Sequence, residues 1–222
     1  MKKYRKRFLS LLLSAVVLAG TAGCKGGFDA AGYTQALLDL TFQGEVGEAM
    51  RVIKGADKET LELKYQESID TFTTNVLTGQ FETGEVYQIQ FAELTAKIFS
   101  SMRYRVAGAE KTGKKEYEVS VAIQPADVFV NFSELLTKDS LKMSENIEAG
   151  KYTGTEEEIG EQVMTDIVNH SYELLDTAYM RMDFAPEETV ILEVKADEKN
   201  EYSINEDDMN NLITKILRLD EM

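Results

Sequence analysis

The chain has 222 residues, with 39 Asp+Glu against 24 Lys+Arg, one Cys, one His, two Pro and no Trp. A formal charge of −15 speaks against nucleic acid as a partner, because neutralising phosphates takes clustered Lys and Arg. A lone Cys cannot build a disulfide framework, and 43% hydrophobic composition with so little Pro excludes a disordered chain.

The first element is a leader. Lys2, Lys3, Arg5, Lys6 and Arg7 precede an apolar run from Phe8 to about Leu18, and small residues follow to Gly23. Basic, apolar, small is the order of a secretory signal peptide, and the apolar part falls short of the roughly 20 residues of a membrane-spanning helix. Thr21-Ala22-Gly23-Cys24 resembles the bacterial lipobox, in which small residues mark signal cleavage and the Cys is acylated to become the first mature residue. Thr21 stands where the motif usually has Leu. The expectation is a signal peptide over 1–23, a short lipidated tether over 24–27 and an α+β domain over 28–222, held at the extracytoplasmic face of the cell membrane by a lipid on Cys24. Two acyl chains suffice for stable anchoring, at about 0.8 kcal/mol per buried methylene. Residues 1–23 carry five Lys/Arg and no Asp/Glu, so Lys+Arg falls from 24 to 19 against 39 Asp+Glu, formally −20 in the mature chain. A domain of that sign is repelled by an anionic bilayer over about 8 Å.

Helices come next. Tyr33, Leu37, Leu40 and Thr41 share one face of a first helix that Gly44 closes as a C-terminal cap. A short helix over 45–54 follows. Leu61, Tyr65, Ile69, Phe72 and Val76 form an amphipathic stripe ended by Gly79, and Tyr87, Phe91, Leu94, Ile98 and Met102 form another. The period then changes to two. Residues 104–108 and 117–123 alternate apolar and polar around Lys111-Thr-Gly113-Lys, which predicts a β-hairpin that Pro125 ends.

Two long helices are expected after it. One carries Val128, Phe132, Leu135, Met143 and Ile147. The other opens on the capping box Thr155-Glu-Glu-Glu158 and carries Ile159, Val163, Ile167, Ser171, Leu174, Ala178 and Met182. A second hairpin, 190–194 and 202–204 around Asp197-Glu-Lys-Asn200, leads into a last helix from Asn205 that buries Met209, Leu212, Ile213, Ile216 and Leu217. The class is α+β, a small antiparallel sheet of two hairpins covered by about six helices. Lys114-Lys-Glu116-Tyr117-Glu-Val119 parallels Lys199-Asn-Glu201-Tyr202-Ser-Ile204, and each hairpin follows spaced helices. Halves 28–125 and 126–222 are therefore candidates for a diverged internal duplication.

The search for chemistry returns little. No glycine-rich phosphate loop, zinc spacing or calcium loop is present, so no cofactor or metal is expected. His170 lies beside the apolar stripe at Ile167 and Leu174, where a ring packed at a helix boundary is the expected role; no nucleophile elbow accompanies it. Acids fall at helix starts and turns, where capping and solvation explain them. The basic turn Lys111, Lys114, Lys115 stands out on an acidic chain, as solvated edge protection or as a contact for anionic lipid or a wall polymer.

Several segments carry a family resemblance: the lipobox Cys24, the opening Tyr33-Thr-Gln-Ala-Leu-Leu-Asp, the hairpin stretch from Glu116 to Pro125, and the junction Glu201-Tyr-Ser-Ile-Asn-Glu-Asp-Asp-Met209. With these the mature chain resembles a group of small lipoproteins of unknown function from Gram-positive Firmicutes. The resemblance implies location and fold and carries over no catalytic residue. The expectation is a non-catalytic module that binds a protein, a wall component or a small apolar ligand between helices and sheet. The alternative is a carboxylate-dependent hydrolase of envelope or extracellular glycans, which needs two acids facing one another in a cleft with at least one desolvated.

Overall fold

The computed structural model describes residues 27–79 and 84–222. Helix α1, Ala30–Gln43, starts where Asp29 Oδ1 accepts the Gly32 N–H at 2.9 Å, satisfying a donor that the helix itself leaves free. It ends at Gly44, whose φ of 68° is left-handed and whose N–H donates to Leu40 O at 3.1 Å. A Cβ there would also sit 2.9 Å from the Tyr65 ring, so glycine is required twice over. Helix α2 is Val46–Val52, and α3, Lys58–Phe72, is capped by Asp57 through the Thr60 N–H at 2.9 Å.

Helix α3 runs straight into a π-helical stretch, Thr73–Thr78. The expected stripe holds at Leu61, Ile69 and Phe72, but Leu77 is buried where Val76 was expected. The wider turn of a π-helix places i+5, rather than i+4, above its predecessor. Helix α4 is Glu85–Ser100, and its stripe Phe91, Leu94 and Ile98 is buried as predicted.

Strands β1 (Arg103–Lys111), β2 (Glu116–Gln124), β3 (Glu188–Ala196) and β4 (Tyr202–Ile204) form one antiparallel sheet in the order β1-β2-β3-β4. Both predicted hairpins are present. A register shift between Val106 and Gly108 marks a bulge in β1, and there the Val106 N–H donates to Gln35 Oε1 of α1 at 3.0 Å. Val119, Val121, Ile123, Val190, Leu192 and Val194 are buried on the covered face, while Glu118, Ile191 and Lys195 occupy the open one. That alternation is what a sheet covered on one side requires.

The long helices are α5, Val128–Glu148, and α6, Glu156–Met180. Strand β4 stops after three residues and gives way to α7, Glu206–Ile216. At that point Asn205 N–H donates to Glu193 O at 2.7 Å and Asp208 Oδ2 accepts the Glu193 N–H at 2.8 Å. A helix side chain thus finishes the ladder that the strand abandons, which leaves no orphaned donor at that edge position. All five apolar residues expected from α7 into Leu217 are buried. The fold class is α+β, with seven α-helices among the described residues against the expected six or so.

One hydrophobic core runs through both halves of the sequence. Its centre is a chain of rings: Phe42 to Phe99 at 5.7 Å, Phe99 to Phe72 at 4.9 Å and Phe72 to Phe129 at 5.5 Å between centroids. The sheet has two chemically distinct ends. At one, Phe28 stacks on Tyr202 at 3.6 Å with ring planes 3° apart and touches Tyr33 and Tyr117. The Tyr33 hydroxyl donates to Tyr202 O at 2.8 Å there, and burial raises its pKa far above the phenol's ordinary value. At the other end, Ala126 N–H donates to Ile216 O and Ala185 N–H to Pro125 O, both at 2.8 Å. The α5–α6 hairpin leaves and rejoins the domain from this second end.

Candidate functional site

With 21 and 25 residues, α5 and α6 are about 31 and 37 Å long, more than the core can cover. Their bases are buried through Val128, Phe129 and Phe132 on one side and Val168, Ser171, Leu175 and Ala178 on the other. Ser171 and Ala178 are thus buried as predicted, while Val168 and Leu175 take the places expected of Ile167 and Leu174, which are only half-buried. Beyond the bases the two helices have only each other, and they form an arm. Residues 149–155 join them, with Thr155 and Glu158 making the expected capping box. Gly154 has φ of 132°, and a Cβ on it would lie 2.6 Å from Glu158 Oε2, so the turn before the box requires glycine.

Ile147, predicted as a buried position, is 47% exposed, and Leu141 and Met164 are 64% and 40% exposed. The cause is length: at the outer end of the arm no third element is present to cover them. Leu136, Met143, Ile147, Val163 and Ile167 line an open groove of about 400 Å³ between the helices. Asp139, Ser140 and Ser144 supply its polar atoms. An apolar trough with a few polar groups is the ordinary composition of a binding surface.

The opposite side of α6 is polar. Tyr152 donates to Asp166 Oδ2 at 2.9 Å, and Tyr87 of α4 donates to Asn169 Oδ1 at 2.7 Å. Two open depressions of about 540 and 410 Å³ meet at Asp166. The hydrogen bond to Asp166 raises the Tyr152 pKa above the ordinary phenol value, because ionising the phenol would forfeit a bond to a carboxylate.

His170 has a polar partner that the sequence did not indicate. Its Nδ1 lies 2.9 Å from Asp139 Oδ2 of α5, and its side chain is 44% exposed. The ring joins the two helices of the arm by a polar contact with Asp139. The neighbouring Ser171 Oγ is buried with no hydrogen-bond partner, so it is not paired with the imidazole. Among the described residues no Asp or Glu is buried. The three carboxylates whose pKa is displaced, Asp57, Glu158 and Glu221, are displaced downward by N–H donors or by Arg218.

Thr21, Ala22, Gly23 and Cys24 lie outside the described residues. Lys111, Lys114 and Lys115 sit at the β1–β2 turn, where the Thr112 and Gly113 N–H groups donate to Glu116 O and Ala196 N–H donates to Lys115 O. None of these three lysines joins an ion pair among the described residues. No group of three or more metal-ligating side chains occurs among them, and no described helix is long and apolar enough to cross a membrane. Asp139, Tyr152, Asp166 and Asn169 carry no motif in the sequence, and Tyr87 reads there only as part of an apolar helix stripe. Their one legible signal is the polar face Gln162, Asp166, Asn169 and Glu173 at steps of four, three and four.

No protein family matches the chain, and no curated protein does. Among solved structures, a candidate lipoprotein (ycdA) from Bacillus subtilis matches with a TM-score of 0.47 and 14% identity, over 85% of this chain and 56% of that one. The chain thus spans little more than half the length of that protein.

Proposed function

We propose that this chain is a lipoprotein, carried on the extracytoplasmic face of the cell membrane by a lipid on Cys24, and that it works as a non-catalytic binding module through the α5–α6 arm. The observation that carries the binding role is the apolar groove of the arm, where Ile147 stays 47% exposed while the bases of the same helices are buried. Leaving such side chains in water forgoes about 25 cal/mol per Å² of burial, and a partner of apolar character recovers it. The basic, apolar, small, Cys order of the first 24 residues supports the location. The absence of a fully buried carboxylate among the described residues, with the displaced carboxylate pKa values all moved downward, favours binding over carboxylate-dependent hydrolysis, which needs a desolvated acid.

The location and the binding role are tested together in a Gram-positive host. Wild type is expected in washed membranes and Cys24→Ala in the soluble fraction; retention of the variant in membranes refutes the anchor. A photoreactive residue in place of Ile147 is expected to form an adduct in native membranes. That adduct should vanish when Val163→Glu places a charge across the groove, and should persist with Leu141→Glu, whose site does not line it. An adduct indifferent to Val163→Glu removes the groove from the binding role.

A further inference from the structure

We propose that the turn end of the sheet is a docking surface for anionic lipid headgroups, with Lys111, Lys114 and Lys115 facing the bilayer. The inference rests on the lipid anchor proposed above. Cys24 precedes Phe28 by four residues, a reach of at most about 14 Å, and Phe28 is fixed by its stack on Tyr202 and its contacts with Tyr33 and Tyr117. Tyr117 and Tyr202 stand immediately inside the two sheet turns, which Ala196 N–H to Lys115 O and the pairing of Glu116 with Lys195 hold side by side. The described chain therefore begins beside the turns, within tether reach of Cys24, and the α5–α6 arm departs from the opposite end of the sheet.

Charge at this end differs from that of the rest of the domain. Glu116 is engaged by Lys195 at 2.5 Å and Glu201 by Lys54 at 3.7 Å. Asp197 is occupied by the N–H groups of Lys199 and Glu201 at 2.8 and 2.9 Å. Asp197 keeps its charge despite those bonds, and with Glu198 in the same turn and Glu110 opposite Glu118 in the sheet it remains as an opposing charge. Lys111 and Lys114 are exposed and have no ion-pair partner among the described residues. On a mature chain of formal charge −20, an anionic surface repels the acidic bulk and tolerates only the end that carries free lysines, within the roughly 8 Å over which charges act at physiological salt.

The test uses the full-length lipidated chain in vesicles with headgroup-attached nitroxide quencher. A fluorophore is placed at Thr112→Cys in the turn or, as control, at Met180→Cys, a 76% exposed site toward the other end. In phosphatidylglycerol vesicles the turn probe is expected to be quenched strongly and the control weakly. Lys111→Glu with Lys114→Glu should lower the ratio of docked to undocked orientations on the order of tenfold, and phosphatidylcholine should do the same. Both sites are exposed, so folding is unaffected, and a melting curve checks that. Equal quenching at the two probes on vesicle-bound protein overturns the proposal, as does quenching indifferent to charge reversal. Retention of the lysines by soluble polyphosphate without a vesicle response assigns them to a wall polymer and also overturns it. The mass of the N-terminal peptide is read separately: a Cys24 without lipid overturns the anchor and this surface together.

Discussion

Helix α7 and the outer half of the α5–α6 arm are both amphipathic, and they use that pattern in opposite ways. In α7 the residues Met209, Leu212, Ile213 and Ile216 are buried, because β3 and the rest of the core lie against that face. In the arm, Ile147 meets the same chemical requirements and remains 47% exposed, and Val163 and Ile167 across the groove stay half-buried. Periodicity therefore specifies a helix with one apolar face and leaves open what covers that face. A short helix over a sheet finds its cover within the domain; a pair of helices longer than the domain does not.

The largest expected effect sharpens this contrast directly. Leu212→Ala should cost about 2–5 kcal/mol, because the cavity it opens is enclosed, while Leu141→Ala should stay within about 0.5 kcal/mol. Denaturant unfolding of both variants measures the difference. Equal costs would mean that the arm is covered in solution, by a second copy for example.

Asp208→Ala should come next, at about 1–3 kcal/mol, since it leaves the Glu193 N–H without an acceptor at the point where β4 ends. Hydrogen exchange at Glu193 is the measurement; protection equal to wild type would show that the helix side chain is dispensable there.

Thr155→Ala should cost about 1 kcal/mol and raise exchange locally over the first turns of α6. A loss spread over the whole domain would mean that the arm and core unfold as one unit. The same box sets a pH dependence. The Thr155 N–H donating to Glu158 Oε2 at 2.7 Å lowers the Glu158 pKa in the folded state below its ordinary 4.5. A lowered folded value means that the stabilisation is fully present above about 4.5 and is lost as pH falls through the folded pKa. Glu158→Gln should flatten this acid dependence at the start of α6, read by amide exchange; an unchanged profile would remove Glu158 as its source.

The smallest effect belongs to His170. His170→Gln gives up the contact with Asp139 at a site 44% exposed and should cost at most about 1 kcal/mol, with groove binding intact. Loss of binding at unchanged melting temperature would place His170 in the binding site rather than in the contact between the two helices of the arm.

Local chemistry was legible wherever one segment contains its own cause. Gly44, the capping box at Thr155 and Glu158, both hairpins and the stripe of α7 all depend on neighbours in sequence, and each stands where the residues predicted it. The lipobox is equally local, and Cys24 stands as a reading of the sequence. Distance in the chain defeated the rest. The pairing of His170 with Asp139 joins residues 31 apart, and that of Tyr87 with Asn169 joins residues 82 apart; no periodicity encodes either. The one-residue displacements from Ile167 to Val168, from Leu174 to Leu175 and from Val76 to Leu77, and the exposure of Ile147, have the same origin. A sequence fixes which face of a helix is apolar to within one position of the turn, while burial is decided by which other element occupies the space beside it.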